Sequence, residues 1–326
     1  MKKNIGFLIC GIGKGHLSQA ETIYNILLKK NYNIPIVISI SNTTFIEWND
    51  IFKDSDYINE YINFTEENMS NFNLKSKIKF LQLIMKPINI EKYVKKYNLD
   101  LMISFWTPSL VNKLSIPFLS IANQYSVNNF GLNLLNKMNK KNQIPISVGA
   151  PNNYSEYWIP SLIDKNMISK KENKYCVAYS STGMKFIKIL KKIAKNNPNI
   201  KIKLFCDYIH RNYFPKNVTV FKICKNKFRK YLEYASCALT TAGDTLVQEC
   251  VYYKIPVAII PCSKSHVEQK FNFIKYVKDL KYAEKMTSKL NLSELSKKDM
   301  SKFSKKLKKS MRNREDKILN IIEKFI

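Results

Sequence analysis

Short apolar runs alternate with amphipathic stretches along most of the chain, which is the pattern of repeated strand and helix units. Runs that are apolar throughout are typical of strands in a parallel sheet that helices cover on both faces. The predicted strands are residues 3–10, 34–40, 174–180, 200–206, 218–223, 237–240 and 255–261, and the predicted helices include 183–196 and 228–234. The pattern therefore predicts an α/β fold with doubly wound parallel sheets.

A break in this repeat divides the chain into two parts. Residues 150–169 contain several prolines and asparagines, as expected for a linker. The chain has 326 residues, which is more than one hydrophobic core usually supports. We therefore predict an N-terminal domain over residues 1–152 and a second domain over residues 153–305. Residues 306–326 are predicted to be a C-terminal helix, because apolar residues recur there with helical spacing.

The most informative segment is residues 240–269, which opens with an apolar strand, a glycine turn and a helix. The helix would start at Gly243, with Asp244 and Thr245 in its first turn and Glu249 nearly two turns further along. The unpaired amides at the start of a helix and the positive end of its dipole attract phosphate. The segment therefore predicts a diphosphate site, with Glu249 placed to accept the hydroxyls of a ribose.

A polar cluster follows the next predicted strand, and its members are Ser263, His266, Glu268 and Gln269. Ligands of open α/β sheets bind beyond the carboxyl ends of the strands, so the cluster lies where a ligand is expected. Each sugar hydroxyl both donates and accepts hydrogen bonds, so neighbouring carboxylate and amide groups suit a sugar.

A second candidate site follows the first predicted strand, where Gly13, Gly15 and His16 precede an amphipathic helix. Glycines at such a position let a ligand approach the backbone. The spacing fits neither the G-x-G-x-x-G dinucleotide fingerprint nor the Walker A phosphate loop, and no acidic residue ends the second predicted strand. These differences argue against a dehydrogenase and against a P-loop phosphotransferase.

These segments together resemble GT-B glycosyltransferases, in particular the family 28 group that includes the bacterial peptidoglycan N-acetylglucosaminyltransferase and its archaeal relatives. In that group a Gly-x-x-x-x-x-Glu helix holds the nucleotide, and an acid or amide before Gln holds the sugar. The matching residues here are Gly243, Glu249, Glu268 and Gln269. The resemblance implies a GT-B fold, with two Rossmann-like domains facing a central cleft and a C-terminal helix that returns to the N-terminal domain.

The resemblance also implies roles for residues outside these motifs. The first loop of the family ends in Gly-His, which matches Gly15 and His16, and a neutral imidazole there would remove a proton from the acceptor hydroxyl. The alternative is that His16 only caps or orders the loop. Thr182 and Gly183 would hold the β-phosphate, and the backbone of Ile223 would hold the base.

The chain departs from the family pattern after the strand that precedes Phe105 and Trp106, where an acidic residue is frequent in relatives. The carboxylate that would assist the histidine is therefore in doubt. Trp106 is a candidate to stack on an acceptor sugar, with hydrophobic packing as the alternative. For Phe105 we expect packing in the core.

The net charge bears on the possible partners of the protein, but it does not identify one. The chain has 54 Lys and Arg against 25 Asp and Glu, a formal net charge of +29, which suggests a nucleic acid or an anionic membrane as a partner. Arginine, which nucleic-acid-binding proteins use for phosphates and base edges, is scarce, so the composition argues against nucleic acid. The lysines would still attract a nucleotide sugar, a phosphate-bearing acceptor or an anionic membrane surface.

We expect neither a metal nor a cofactor, and a cytoplasmic protein. Transferases of the other common fold hold a metal with D-x-D, and the one match, Asp54-Ser55-Asp56, lies in a charged region that we interpret as an exposed turn. No apolar run reaches the about 18 residues of a membrane span, and the N-terminus lacks a signal-peptide core. The seven cysteines show no pairing pattern. Peripheral binding to a membrane stays open.

The sequence therefore predicts a metal-independent glycosyltransferase that moves a sugar from a nucleotide diphosphate sugar, expected to be UDP-linked, to a hydroxyl of a glycan, lipid-linked or other acceptor. One alternative is a nucleotide-sugar 2-epimerase, which has the same fold and donor pocket but needs no acceptor. Another is a catalytically idle GT-B subunit that recruits a partner to a membrane.

Overall fold

The chain divides into two compact units in a computed structural model. The first unit is Met1–Ile163 with Asn313–Ile326, and the second is Asp164–Arg312. The structure describes residues 2–9, 14–39, 51–59, 89–105, 113–122, 143–149, 155–163, 165, 167, 175–181, 183–207, 209–263 and 267–326.

Within the described residues, the first sheet contains seven parallel strands. They are β1 (Asn4–Ile9), β2 (Asn33–Ser39), β3 (Asp56–Asn59), β4 (Leu101–Phe105), β5 (Phe118–Ala122), β6 (Ile144–Val148) and β7 (Tyr157–Ile159). Their order is β3-β2-β1-β4-β5-β6-β7, so the direction of progression reverses between β1 and β4. The Asp54-Ser55-Asp56 sequence leads into β3, where the Asp56 carboxylate accepts a hydrogen bond of 2.7 Å from the Tyr97 hydroxyl.

The second sheet repeats this arrangement with six parallel strands. They are β8 (Tyr175–Tyr179), β9 (Lys201–Phe205), β10 (Val218–Phe221), β11 (Cys237–Thr241), β12 (Val257–Ile260) and β13 (Glu284–Lys285). The order is β10-β9-β8-β11-β12-β13, with the reversal between β8 and β11. Both sheets therefore have the strand order of a Rossmann-like domain.

Helices cover the sheets, as parallel strands require. They are α1 (Lys14–Lys29), α2 (Glu91–Lys96), α3 (Met184–Asn196), α4 (Lys225–Glu233), α5 (Asp244–Tyr252), α6 (Val267–Phe273), α7 (Leu292–Ser296), α8 (Ser301–Ser310) and α9 (Arg314–Glu323). A π-helical turn, Ile274–Asp279, continues α6. Among the described residues, none of these helices combines the length and the apolar character needed to cross a bilayer.

The C-terminal segment packs on the first unit. The apolar face of α9, with Ile318, Leu319 and Ile322 buried, belongs to the same core as Ile23 and Leu27 of α1. Burial of each of these side chains contributes about 1.5–3 kcal/mol, so a helix of ten residues is held firmly although it is remote in sequence. The predicted return of the C-terminal helix to the N-terminal domain is confirmed.

The continuous helix predicted over residues 306–326 is wrong. The chain leaves α8 at Met311, and α9 begins after Asn313, whose φ of 56° is left-handed. A right-handed helix cannot continue through a residue in that conformation. The end of α8 therefore stays in the second unit, and only α9 joins the first.

The observed divisions of the chain, after Ile163 and after Arg312, both lie beyond the predicted boundaries at residues 152 and 305. The expected linker over residues 150–169 contains β7, which pairs with β6 in the first sheet. At the other end, α8 packs on α5 of the second unit. Pairing and packing thus extend each unit past the point at which composition changes.

Arg314 stabilises the segment just before the first of these divisions, at Ser161 and Ile163. Its guanidinium Nη1 donates to the carbonyl oxygens of Ser161 at 3.2 Å and Ile163 at 2.7 Å, and the residue is only 4% exposed. Ser161 and Ile163 come after β7, so their carbonyl groups have no strand partner in the described structure. The bonds from Arg314 satisfy these carbonyl groups. A buried charged donor of this kind is costly to remove, because its acceptors remain buried.

We predict that Arg314→Met lowers the free energy of unfolding by about 2–3 kcal/mol, because it removes both hydrogen bonds but keeps the length of the side chain. Urea unfolding measures the change. Arg312→Met is the matched control, since Arg312 is exposed, and it should be nearly neutral. Equal losses in the two variants would contradict the assigned role.

Candidate functional site

The second sheet places its most polar loops at the reversal of strand order. Strands β8 and β11 are neighbours, so the loop that contains Ser180 and Gly183 and the turn at Ala242 and Gly243 start from adjacent carboxyl ends. This is the position at which ligands bind in open α/β sheets. The structure therefore brings together two segments that the sequence predicts to hold phosphate.

The turn before α5 is open to a ligand. Gly243 has φ −74° and ψ 134°, which any residue adopts, and a Cβ added there would meet no described atom within 4 Å. Its amide donates to the carbonyl oxygen of Thr241 at 2.7 Å. The next amides, from Asp244 to Leu246, begin the helix and have no carbonyl one turn earlier to bind. Conformation does not require glycine here, and the space around the position leaves the backbone accessible.

At Gly183, both the backbone conformation and a close contact require glycine. Its φ is +108°, and an added Cβ would lie 2.9 Å from the Cβ of Cys262. The loops after β8 and β12 therefore touch at this glycine. Thr182, the other residue predicted in this loop, lies outside the described residues.

Glu249 lies on α5 beside two cations that sequence reasoning missed. Arg229 Nη2 is 3.9 Å from Glu249 Oε1, and the carboxylate is 11% exposed. Lys225 is one helical turn before Arg229 on α4, and burial, followed by the charge of Arg229, lowers its pKa to about 7 against the opposing effect of Glu249. The spacing of two basic residues at i and i+4 was the available signal. The cluster brings two basic side chains of α4 to a carboxylate on α5, the helix that begins at the predicted phosphate site.

The sequence predicts Asp244 to bind the donor, but its side chain points into the protein. Its carboxylate is buried and accepts hydrogen bonds from the Tyr276 hydroxyl and the Gln248 amide, and Lys275 Nζ lies 3.3 Å away. Three donors of the protein thus hold it inside the second unit. The contribution of Asp244 to a phosphate site is limited to its backbone amide. Thr245, also predicted, is half-buried in the same first turn.

The cluster after β12 is only partly directed outward. Gln269 is buried, and its Oε1 accepts a hydrogen bond of 2.8 Å from the amide of Cys262, so it holds the loop in which that cysteine lies. Glu268 is half-buried in the first turn of α6. His266 lies outside the described residues. The role of these residues in sugar binding stays a prediction.

The backbone of Ile223, predicted to hold the base, is also partly occupied. Its amide donates to the Asp207 carboxylate at 2.7 Å. This bond joins the segment after β10 to the segment after β9. A base bound here would have to use groups other than that N–H.

The N-terminal candidate site lies at the reversal point of the first sheet. Gly15 and His16 are in the first turn of α1, which follows β1 in the chain. Burial lowers the pKa of His16 to about 4, so the imidazole is neutral near pH 7. Neutrality is the state that a general base needs. Gly13 and Trp106 lie outside the described residues.

Phe105 packs in the core as expected. It is fully buried at the end of β4, and its ring centroid is 5.3 Å from that of Phe7 in an edge-on arrangement. An aromatic residue therefore replaces, in this position, any carboxylate that would assist His16. The role of His16 as a base stays a prediction.

The fold is shared with solved structures of known proteins. The chain is similar to MurG from Acinetobacter baumannii, with a TM-score of 0.55, 16% identity and coverage of 99% of each chain. It is similar to the glycosyltransferase SnogD from Streptomyces nogalater, with a TM-score of 0.66, 10% identity and coverage of 99% of each chain. The UDP-GlcNAc 2-epimerase from Neisseria meningitidis, bound to UDP-GlcNAc, has a TM-score of 0.58 at 10% identity, and the match covers 98% of this chain and 100% of that one.

A family match over part of the sequence adds to the likeness in fold. Residues 147–308 match the family model described as Glycosyl transferase family 1, and they include the whole site in the second sheet. The protein is a GT-B glycosyltransferase. The predicted resemblance, fold class and enzyme class are confirmed. No curated protein matches the glycosyltransferase by sequence.

We predict that the two glycines of the glycosyltransferase respond differently to alanine. Gly243→Ala should change the free energy of unfolding by no more than about 0.5 kcal/mol, because the Cβ meets open space. Gly183→Ala should lose about 1–3 kcal/mol, because φ is positive and Cys262 is close. Urea unfolding measures both. A large loss in Gly243→Ala would show that packing, and not ligand access, selects this glycine.

The pKa of His16 gives the glycosyltransferase a pH-dependent stability. The folded-state pKa, about 4, is below the ordinary 6.5, so the unfolded chain takes up a proton that the folded protein does not. Stability is therefore fully present above about pH 6.5 and falls toward pH 4. Between pH 6.5 and 4.5, wild type should lose about 2 kcal/mol more than His16→Asn in urea unfolding. Parallel curves for the two proteins would rule out a buried neutral imidazole.

Proposed function

We propose that the protein transfers a sugar from a UDP-linked donor to a hydroxyl group of an acceptor. The observation that carries this proposal is the open Gly243 turn and the start of α5, beside Glu249 and at the reversal point of the second sheet. This arrangement lies within the residues that match the family model. It offers backbone amides for phosphate and a carboxylate for hydroxyl groups in neighbouring positions.

The donor would occupy the carboxyl edge of the second sheet. Its diphosphate would bind the amides at the start of α5 and the loop at Gly183, and its ribose hydroxyls would donate to Glu249. Arg229 lies 3.9 Å from Glu249 and compensates the charge of this buried carboxylate. The sugar would extend toward Glu268 at the start of α6.

A UDP-linked donor is supported by the fold neighbour from Neisseria meningitidis, which was solved with UDP-GlcNAc bound. That protein and this one have the same fold over nearly their whole lengths. This likeness supports the identity of the nucleotide, UDP, and not that of the sugar. The sugar is expected to be set by the residues after β12, which include Glu268 and Gln269.

Departure of UDP would be assisted by the protein without a metal or another cofactor. The amides of α5 would provide positive potential beside the diphosphate, and Lys225 and Arg229, which lie near Glu249, would add to it. Preorganised donors of this type stabilise the charge that develops on a leaving group. Transfer that is unchanged by EDTA would support this part of the proposal, and loss of transfer that Mg²⁺ restores would refute it.

On the acceptor side, we propose His16 as the residue that removes the proton from the attacking hydroxyl. The support is its neutral state and its position at the reversal point of the first sheet. The acceptor is proposed to be a glycan or a lipid-linked hydroxyl compound. Contact with an anionic membrane is proposed as peripheral, through the lysine-rich surface.

A nucleotide-sugar 2-epimerase is the second candidate, because a UDP-GlcNAc 2-epimerase has the same fold. The two functions differ in their need for an acceptor. Release of a changed monosaccharide from UDP-GlcNAc without an acceptor would establish epimerisation. Donor binding without any turnover, across a panel of acceptors, would instead identify an idle subunit.

We predict that Glu249→Gln weakens UDP binding by about tenfold or more, because the ribose hydroxyls lose a charged acceptor. Isothermal titration with UDP measures the dissociation constant, and thermal shift with UDP, ADP and GDP tests the base. Glu284→Gln is the control, because it also removes a carboxylate from an ion pair, with Lys298, but lies on β13. Unchanged UDP affinity in Glu249→Gln would refute the proposed donor site.

A further inference from the structure

One face of a single helix is bonded to the Gly243 turn and to the loop after β12, two of the segments of the proposed donor site. The segment consists of α6 and the π-helical turn that follows it, and the face is formed by Gln269, Asn272 and Tyr276. The spacings of three and four residues place the three side chains on one side of a helix. All three are buried, although two of them are strongly polar.

Each side chain on this face bonds to a different point of the site. Gln269 accepts from the amide of Cys262 at 2.8 Å, which fixes the loop after β12. Asn272 Nδ2 donates to the carbonyl oxygen of Ala242 at 3.0 Å, immediately before the Gly243 turn. The Tyr276 hydroxyl donates to the carboxylate of Asp244, the first residue of α5. The helix face thus contacts both ends of the Gly243 turn.

The bond between Tyr276 and Asp244 helps to hold a negative charge away from the proposed diphosphate position. A free carboxylate at the start of α5 would repel a diphosphate bound to the same amides. Here Tyr276, Gln248 and Lys275 draw the Asp244 carboxylate into the protein. Burial, and then the charge of Asp244, raise the pKa of Tyr276, so its hydroxyl keeps the proton that it donates. At the start of α5, the backbone amides and not a carboxylate would therefore face the diphosphate.

These bonds add direction to a helix that packing already holds in place. The apolar side of α5, with Val247, Cys250 and Val251 fully buried, keeps the helix on the sheet. Apolar contacts resist separation but tolerate small rotations, whereas hydrogen bonds to Ala242 and Asp244 fix the direction of the first amides. Small displacements of binding groups are enough to weaken a site strongly.

We propose that Tyr276 and Asn272 are positioning residues of the donor site, which orient the Gly243 turn and the first amides of α5 toward the donor diphosphate. This inference rests on the proposed function for the identity of the ligand. The geometry that it invokes lies entirely within the second unit. Gln269 belongs to the same device, and holds the neighbouring loop in register with that turn.

The test compares Tyr276→Phe with Tyr282→Phe. The two rings are stacked with centroids 6.1 Å apart and both are buried, but the Tyr282 hydroxyl makes no hydrogen bond with the described residues. The first readout is hydrogen exchange, in the free protein, of the amides of Ala242, Gly243 and Val247, which are hydrogen-bonded at the turn and just after it. Tyr276→Phe should accelerate this exchange by about tenfold, and Tyr282→Phe should leave it unchanged.

The second readout is the dissociation constant for UDP. Tyr276→Phe should weaken binding by about tenfold, while Tyr282→Phe binds like wild type. Asn272→Ala should resemble Tyr276→Phe in both readouts, although it removes a different bond. A purely structural role predicts that both tyrosine variants lose affinity in proportion to their loss of stability, so thermal unfolding is measured alongside.

The outcomes separate this inference from the proposed function. If wild type binds UDP and Tyr276→Phe shows wild-type exchange and affinity, the positioning role is wrong and the proposed function stands. If wild type does not bind UDP, the proposed donor is wrong. Exchange at Ala242, Gly243 and Val247 then decides the positioning role by itself, with faster exchange confined to Tyr276→Phe supporting it and equal exchange in the two variants overturning it.

Discussion

Parallel pairing of every strand in both sheets is the constraint on which the rest of the structure depends. Each parallel pair requires a crossover that packs on the sheet, so the carboxyl ends of the strands all emerge at one edge. Where the order reverses, between β1 and β4 and between β8 and β11, neighbouring loops diverge to opposite faces and leave room for a ligand. The same rule therefore positions His16 in one unit and Gly243 in the other.

Polar side chains at the second of these edges serve two purposes that are hard to tell apart in a sequence. Asp244 and Gln269 fall at positions suited to a ligand, but both make buried hydrogen bonds within the protein. Buried polar groups need partners, and a loop that must be rigid supplies many of them. In the proposed site, buried polar groups such as these hold the segments of the site in place rather than facing a ligand.

Charge shows the same separation between composition and arrangement. The net charge of +29 says little about the site, because most lysines belong to the surface. The arrangement that bears on function is local: Lys225 and Arg229 face Glu249, and burial lowers the pKa of Lys225 to about 7. Burial makes these few charges interact more strongly than any number of solvated ones.

The sequence by itself determined seven of the strands and the glycine turn at Gly243 with its helix, because apolar periodicity and turn chemistry are local properties. The glycosyltransferase class came from the resemblance of its motifs to a known family. The sequence did not determine the end of the first unit, where β7 finds its partner β6, or the break at Asn313 that sends α9 to the first core. Those features depend on pairing and burial between segments far apart in the chain. Tertiary structure likewise decided that Asp244 turns inward to Tyr276, since a side chain follows its hydrogen-bond partners and these are 32 residues away.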